Sequence, residues 1–333
     1  MGEKLSYKKA GVDIDGGDAW VNVIKSLLLK HPKSPSAVGG IGGFAGLYDI
    51  GGGRCIAACC DGVGTKLEIA KKTGIYKGLG QDLVAMNVND LVTGGAHPLF
   101  FLDYAACGSL DIDVLKEVVE GVLNACDESL CTLLGGETAE MPDVYDKKGF
   151  DLAGFAVGIV ESDKIIDGAK VREGDIIVGL SSSGFHSNGY TLVRKALGND
   201  GLNADLKSVP NGWNETIAEA VMKPTKLYVK ASLEVINNVA VHAMAHITGG
   251  GMYGNIIRVI PKGLNISIDF NSWERPKIFD LVQSAGIEEQ EMRKVFNLGI
   301  GYVFIIDPDD MDTLSNALAP LNEKPTIIGR VVK

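Results

Sequence analysis

Asp61-Gly62-Val63-Gly64-Thr65-Lys66 puts a carboxylate, two glycines, a hydroxyl and a lysine into six positions, directly after an apolar run. Such a segment offers a metal ligand, close backbone approach and a cation; an ordinary turn with a helix cap has the same composition. It is not a Walker A loop, which keeps four residues between its first Gly and Gly-Lys-Ser/Thr. Further on, Val84, Val88 and Leu91 make an apolar stripe at helical spacing, while Asn87 and Asp90 lie one turn apart on another face. Asn and Asp are mediocre helix formers. Three of them in four positions (Asn87, Asn89, Asp90) read either as a solvated face or as oxygen ligands for a hard cation such as Mg²⁺.

Other segments have the look of anion sites. Residues 39–46 carry Gly40, Gly42 and Gly43 and read as a flexible loop or as a lid laying backbone N–H groups over a phosphate. The spacing Gly40-x-Gly42-x-x-Ala45 imitates a dinucleotide fingerprint, but no strand precedes it and no helix is signalled after it. His186, Ser187 and Asn188 close a Ser-rich loop between a strand and a helix, and Thr248, Gly249, Gly250 and Gly251 form a turn before another helix. Free N–H groups and the dipole favour anions at such places. A lone loop imidazole also serves simply as a structural hydrogen-bond partner. Glu137 sits in Gly-Gly-Glu-Thr-Ala-Glu-Met-Pro at a strand end.

The elements expected to hold these segments alternate. Helices are expected at 16–31 (with Asp18 as cap), 82–93, 111–126, 190–197 and 225–239. Strands are expected at 54–60, 99–106, 131–134, 152–160, 176–180, 264–269, 301–306 and 326–332. Mixed strands and helices in both halves argue for an α/β or α+β protein of two domains, 1–168 and 169–333.

Composition removes whole classes of function. Lys and Arg total 32 against 42 Asp and Glu, a net charge of −10, so general nucleic-acid binding is disfavoured while a local basic pocket for one phosphorylated ligand stays allowed. No apolar run reaches the ~18 residues of a membrane helix. The six cysteines show no metal-type spacing and read as reduced core thiols of a cytoplasmic protein.

In their joint order, and over nearly the whole chain, these segments resemble the aminoimidazole ribonucleotide synthetases, the phosphoribosylformylglycinamidine cyclo-ligase family. The resemblance runs through residues 6–15, 39–46, 61–66, 82–95, 98–104, 135–142, 182–194, 246–251 and 296–301. Sibling families fit less well: selenophosphate synthetases carry a reactive residue near the start, where the first cysteine here is Cys55. The resemblance implies an N-terminal α/β domain whose strands build a β-barrel across a homodimer interface, followed by a C-terminal α+β domain. It implies ATP and Mg²⁺ as cofactors and formylglycinamidine ribonucleotide as the small-molecule substrate. Asp61 and Asp90 would hold the metal and, with His186, act in catalysis. Gly40, Gly42, Gly43, Gly62, Gly64, Thr65, Lys66, Asn87 and Glu137 would bind ATP. Ser187, Asn188, Thr248, Gly249, Gly250 and Gly251 would bind the substrate.

Overall fold

The computed structural model describes residues 5–31 and 34–333. Its first half carries helices α1 (Ile14–Leu28), α2 (Lys66–Thr73), α3 (Leu79–Val92) and α4 (Ile112–Glu128). The strands are β1 (Ala37–Val38), β2 (Gly46–Gly51), β3 (Arg54–Gly62), β4 (His97–Cys107), β5 (Thr132–Glu140) and β6 (Phe150–Glu161). They form one sheet in the order β1-β2-β3-β6-β4-β5. Only β4 and β5 pair in parallel, and α4 supplies the crossover that a parallel pair requires.

One face of this sheet is covered and the other is open. Along β6, Leu152, Ala156 and Val160 are buried beneath the helices, with the period of two that a strand dictates. The alternate residues Phe155, Val157 and Ile159 pair with Leu102 and Phe100 of β4 and with Ala58 and Ile56 of β3. These apolar side chains share the open face, where Phe155 is 42% exposed. Amphipathic α1 likewise shows apolar residues to solvent, Trp20 being 61% exposed. The sheet is therefore a half-barrel.

On the covered face α3 and α4 lie so close that a Cβ on Gly80 would collide with the Val118 carbonyl. A Cβ on Gly154 of β6 would come 2.7 Å from Asn87 Nδ2, so α3 is pressed against the sheet as well. The second half covers what remains of α3, whose Asp82, Asn87 and Asn89 are all buried.

That second half has strands β7 (Ile176–Ser181), β8 (Ala243–His246), β9 (Asn265–Ile268), β10 (Ile300–Ile306) and β11 (Thr326–Val332). They form an antiparallel sheet in the order β8-β10-β7-β11-β9. Its helices are α5 (Tyr190–Leu197), α6 (Ile217–Met222), α7 (Val229–Asn238), α8 (Gly251–Ile256), α9 (Lys277–Gln283), α10 (Glu289–Val295) and α11 (Met311–Leu318). β10 is buried along its whole length and forms the spine of this core. The molecule is thus the expected mixed α/β fold of two sheets. Among the described residues no helix is long and apolar enough to cross a membrane.

Some expectations shift. α1 begins earlier than 16, capped by Asp13, whose carboxylate accepts from Gly16 N at 3.1 Å; the Asp18 side chain lies outside the described residues. The helix expected at 225–239 starts only at Val229, because its leading residues lend their backbone to α3. Asp82 accepts from Thr225 N, while Asn89 accepts from Tyr228 N and donates to Lys226 O. β5 runs on to Glu140, so Gly135, Gly136 and Glu137 lie inside a strand rather than past its end. β1, β2 and β8 have no counterpart among the expected strands: β1 is two residues long, β2 falls in a glycine-rich stretch and β8 is four residues long.

Candidate active site

Between the two halves a cleft of about 490 Å³ opens over the end of β3. Asp61, Gly62, Gly64 and Thr65 line one side, and Ser187, Asn188 and Gly189, from the loop ahead of α5, line the other. Asp61 is held at both ends: its carboxylate accepts from Gly62 N at 2.7 Å and its carbonyl accepts from Asn87 Nδ2 at 3.2 Å. Burial pushes the Asp61 carboxyl up to about 6, and the charge of Asp90 adds to the push; the Gly62 N–H and His246 oppose it. The two carboxylates therefore stand near enough to repel, which is an arrangement a cation relieves.

Asp90 does a second job. Its Oδ1 lies 2.8 Å from Nδ1 of His246, so a side chain of α3 meets the end of β8 across the boundary between the halves. The His246 ring is fully buried and its Nε2 has no hydrogen-bond partner among the described residues. In the sequence His246 stands two residues before the Thr248–Gly251 turn, with no carboxylate at ligand spacing beside it. Its partner lies 156 positions away, and nothing in the local pattern announces it.

Lys66 is placed differently from what its motif implied. Its ammonium is 2.7 Å from Asp82 Oδ2, with both side chains fully buried. It also donates to Lys223 O at 2.7 Å and to His186 O at 3.1 Å. Burial pushes the Lys66 amine down and the Asp82 carboxylate opposes that. The other Asp82 oxygen accepts from both N and Oγ1 of Thr225, each at 2.7 Å. Lys66 thus spends its charge inside the joint between the halves and presents none to the cleft. Asn87 is buried too, donating to Asp61 O and Leu83 O, so it steadies Asp61 from behind.

His186 is corrected in the same sense. The ring is fully buried, behind the cleft wall made by its neighbours, with a backbone φ of +62°. Nε2 accepts from Ser183 N at 3.3 Å, and Nδ1 has no partner among the described residues. Burial, then the neighbouring His246, Lys66 and Lys226, hold its pKa well below the usual histidine value, so the imidazole is neutral. A neutral ring at all pH values near 7 cannot account for an acid limb of a rate profile. His186→Gln should therefore lower kcat without removing a limb from the pH–rate profile; loss of a limb near pH 6–7 would return proton transfer to this ring.

Ser187 and Asn188 do reach the cleft. Ser187 Oγ shares a 3.0 Å hydrogen bond with Thr225 Oγ1, which ties the loop to the Lys66–Asp82 network. Asn188 Oδ1 lies 3.6 Å from where a Gly249 Cβ would stand, so the loop and the turn at Thr248, Gly249, Gly250 and Gly251 come together. That turn takes φ of +100° at Gly250 and +65° at Gly251, values that L side chains resist. Asn255 Nδ2 fixes it through the carbonyls of Thr248, Gly249 and Gly251.

The remaining candidates lie apart from the cleft. Gly40, Gly42 and Gly43 form an exposed loop; the carbonyls of Gly42 and Gly43 accept from Arg258. The register Asp61↔Gly154↔Asp103↔Gly136 sets Glu137 three strand spacings, about 14 Å, from Asp61. Glu137 pairs with Tyr104, and so lies on the open face while Asp61 points to the covered one. Within this chain the two carboxylates cannot share a ligand atom. Among the described residues no three His, Cys, Asp or Glu side chains gather around one metal position.

Comparisons with known proteins give the family and the fold. Residues 42–160 match the N-terminal domain of the AIR synthase related proteins, and residues 172–333 match their C-terminal domain. A phosphoribosylformylglycinamidine cyclo-ligase of Vigna unguiculata is 51% identical over 306 residues, 92% of this chain and 76% of that one. That relative is chloroplastic/mitochondrial, which overturns the expectation of a cytoplasmic protein. Free cysteines fit an organelle as well as they fit the cytoplasm. Among solved structures, the thiamine-monophosphate kinase of Stenotrophomonas maltophilia K279a superposes with a TM-score of 0.61 at 17% identity, covering 95% of this chain and 93% of that one. PurL of T. maritima, complexed with AMPPCP, superposes with a TM-score of 0.56 at 13% identity, covering 86% and 42%. At such identities the likeness is one of fold.

Proposed function

From the premise that the chain belongs to the AIR synthase related family, we infer that it performs the reaction for which its Vigna unguiculata relative is named, the ATP-dependent ring closure of formylglycinamidine ribonucleotide in purine biosynthesis. The products are aminoimidazole ribonucleotide, ADP and phosphate. The observation that carries the reading is Asp61 at a cleft whose opposite wall is the Ser187–Asn188 loop, with Asp90 behind it on α3, near enough for its charge to raise the Asp61 carboxyl.

The formyl oxygen is a poor leaving group. Taking up the γ-phosphoryl group of ATP makes it a good one, as an iminophosphate. The amidine nitrogen then attacks the formyl carbon, the new C–N bond closes the five-membered ring, and the C–O bond breaks with its electrons leaving on phosphate. Ring closure within one bound molecule gains from orientation. Phosphoryl transfer needs positioning and charge neutralisation more than covalent help.

The residues present suit Mg²⁺, which takes one or two carboxylates and completes its shell with phosphate oxygens and water. Asp61 and Asp90 would hold it, and it would neutralise charge on the transferring phosphoryl group. Gly62 and Gly64 let the phosphates approach the backbone at the end of β3. Gly62 N–H aims the Asp61 carboxylate, Asn87 holds the Asp61 backbone, and His246 aims the Asp90 carboxylate. Ser187, Asn188 and the Gly249–Gly250 turn face the substrate. A coupled assay for ADP release tests the activity: formylglycinamidine ribonucleotide should elicit ADP, and thiamine monophosphate should not. The reverse result would sink the reading.

We also propose that the protein is a homodimer. The apolar open face of the half-barrel, with Phe100, Phe155, Val157 and Ile159 on it, supports a second copy as its cover, and Glu137 on that face would then serve a site completed between chains. Sedimentation equilibrium at micromolar concentration should give twice the chain mass. Phe155→Glu should give a folded monomer; a fully active wild-type monomer would count against the proposal.

A further inference from the structure

α4 ends in a turn that brings two cysteines together. Cys131 N donates to Cys126 O at 2.9 Å and Leu130 N donates to Asp127 O at 3.3 Å, while Leu130 takes a φ of +55°. These are the paired bonds and the left-handed residue of a Schellman motif, whose first and last residues commonly pack side chain on side chain. Glycine is the usual occupant of the left-handed place. Here it is a leucine, 60% exposed, held there by the two bonds. The packed pair is Cys126 and Cys131, 1% and 6% exposed, both free thiols. The Cys126 thiol donates to the Cys131 sulfur.

The turn already meets the geometry of a disulfide. Standard bond lengths on either side of the 2.9 Å hydrogen bond keep the two Cα atoms within about 6.8 Å. Disulfides span Cα separations of about 4.4–6.8 Å. The other thiols are placed differently. Cys59 and Cys60 are neighbours on β3 and point to opposite faces. Cys59 donates to Asn87 O at 3.0 Å, Cys55 lies 3.6 Å from Ser162 Oγ, and Cys107 stands at the far end of β4, paired with Glu140 and Phe150.

We propose that Cys126 and Cys131 form a dithiol that exchanges with external disulfides and closes into an intramolecular disulfide, a redox-controlled staple between α4 and β5. The two thiols have distinct parts. The Cys126 S–H, helped by the Thr132 N–H, favours a thiolate at Cys131 and lowers its pKa against the effect of burial. The bond to Cys131, burial and the charges of Asp127 and Asp103 push the Cys126 thiol up. The thiolate is the nucleophile of exchange, so Cys131 attacks first. The S–S bond of the external disulfide breaks, and one half leaves as a thiolate with the electron pair. Cys126 then gives up its proton, attacks the Cys131 sulfur and expels the second half. Two thiols of this chain are oxidised, one external disulfide is reduced to two thiols, and the two protons end on the departing sulfurs. Entry is through the turn itself, which joins a helix end to an edge strand and is exposed at Glu128 and Thr132. Such ends open locally at small cost. Because α4 is the crossover between β4 and β5, the staple pins the one parallel pair of the first sheet. A disulfide restricts the unfolded chain, so the oxidised protein is the more heat-resistant form.

Glutathione disulfide is the probe, and peptide mapping by mass spectrometry is the readout, because the exposed Cys60 takes up glutathione on its own account. The full-length protein, reduced and then held in millimolar glutathione disulfide for a day, should yield peptides joined through Cys126 and Cys131. Dithiothreitol should part them. Cys126→Ala should stop at a mixed disulfide, with glutathione on Cys131, whereas Cys131→Ala should keep Cys126 reduced. Oxidation should raise Tm by several degrees in the wild type and in neither variant. Recovery of both wild-type thiols in reduced form would overturn the proposal. Glutathione on Cys126 in Cys131→Ala would reverse the assigned order of attack, and a disulfide that leaves the wild-type Tm unmoved would refute the staple.

Discussion

Asp61→Asn is expected to abolish most turnover and yet make the protein more stable at neutral pH. The Asp61 carboxyl is pushed up to about 6 from 3.8, first by burial and then by the charge of Asp90. A carboxyl raised in the folded state binds its proton more tightly there than in the unfolded chain, so stability falls as pH rises from about 4 to about 6. Two pKa units correspond to about 3 kcal/mol, an upper bound for a side chain that is still partly solvated. Asn carries no charge to desolvate. The gain from the substitution should therefore be full above about pH 6 and vanish below about pH 4, which thermal melts across that range will read. Removing one electrostatic element at a phosphoryl-transfer site is expected to cost kcat at least about 100-fold. An Asp61→Asn variant of normal activity, or one no more stable at pH 8 than the wild type, would contradict the place given to this carboxylate.

Lys66→Met should have the opposite signature. Removing one partner of a buried ion pair leaves the other charge uncompensated, which typically costs about 3–5 kcal/mol. Here Asp82 would be stranded, and the carbonyls of His186 and Lys223 would each lose a donor. The double variant Lys66→Met/Asp82→Asn removes the stranded charge and keeps an oxygen for Thr225. It should be more stable than Lys66→Met alone, a coupling that a double-mutant cycle in urea measures directly. If instead Lys66→Met melts like the wild type and only raises KM for ATP, Lys66 serves the nucleotide.

What the sequence could and could not tell follows from the range of the forces involved. Helices and strands set by local periodicity are legible: α5, β7 and β11 stand within a residue of where the pattern puts them. So is the Asp61 turn, because glycine spacing and a carboxylate at a strand end are local features. Lys66 belongs to the same motif, yet its burial is not legible there, because its partner Asp82 and the backbone it supports at His186 and Lys223 are brought to it only by the docking of two halves. The same docking converts Asn87 and Asn89 from plausible ligands into buried clamps and hides His186 behind the wall it helps to build. Glu137 escaped for a simpler reason. Which face of a sheet a residue occupies depends on strand order, and the strand order places β6 between β3 and β4, far from sequence order.

The central claim is that the phosphoryl group of ATP goes to the formyl oxygen of the substrate before the ring closes. Substrate labelled with oxygen-18 at the formyl position, turned over with ATP in ordinary water, decides it by mass spectrometry of the released phosphate. Transfer to the formyl oxygen predicts one labelled oxygen in each phosphate released; unlabelled phosphate, with the oxygen-18 found in water, would contradict the account.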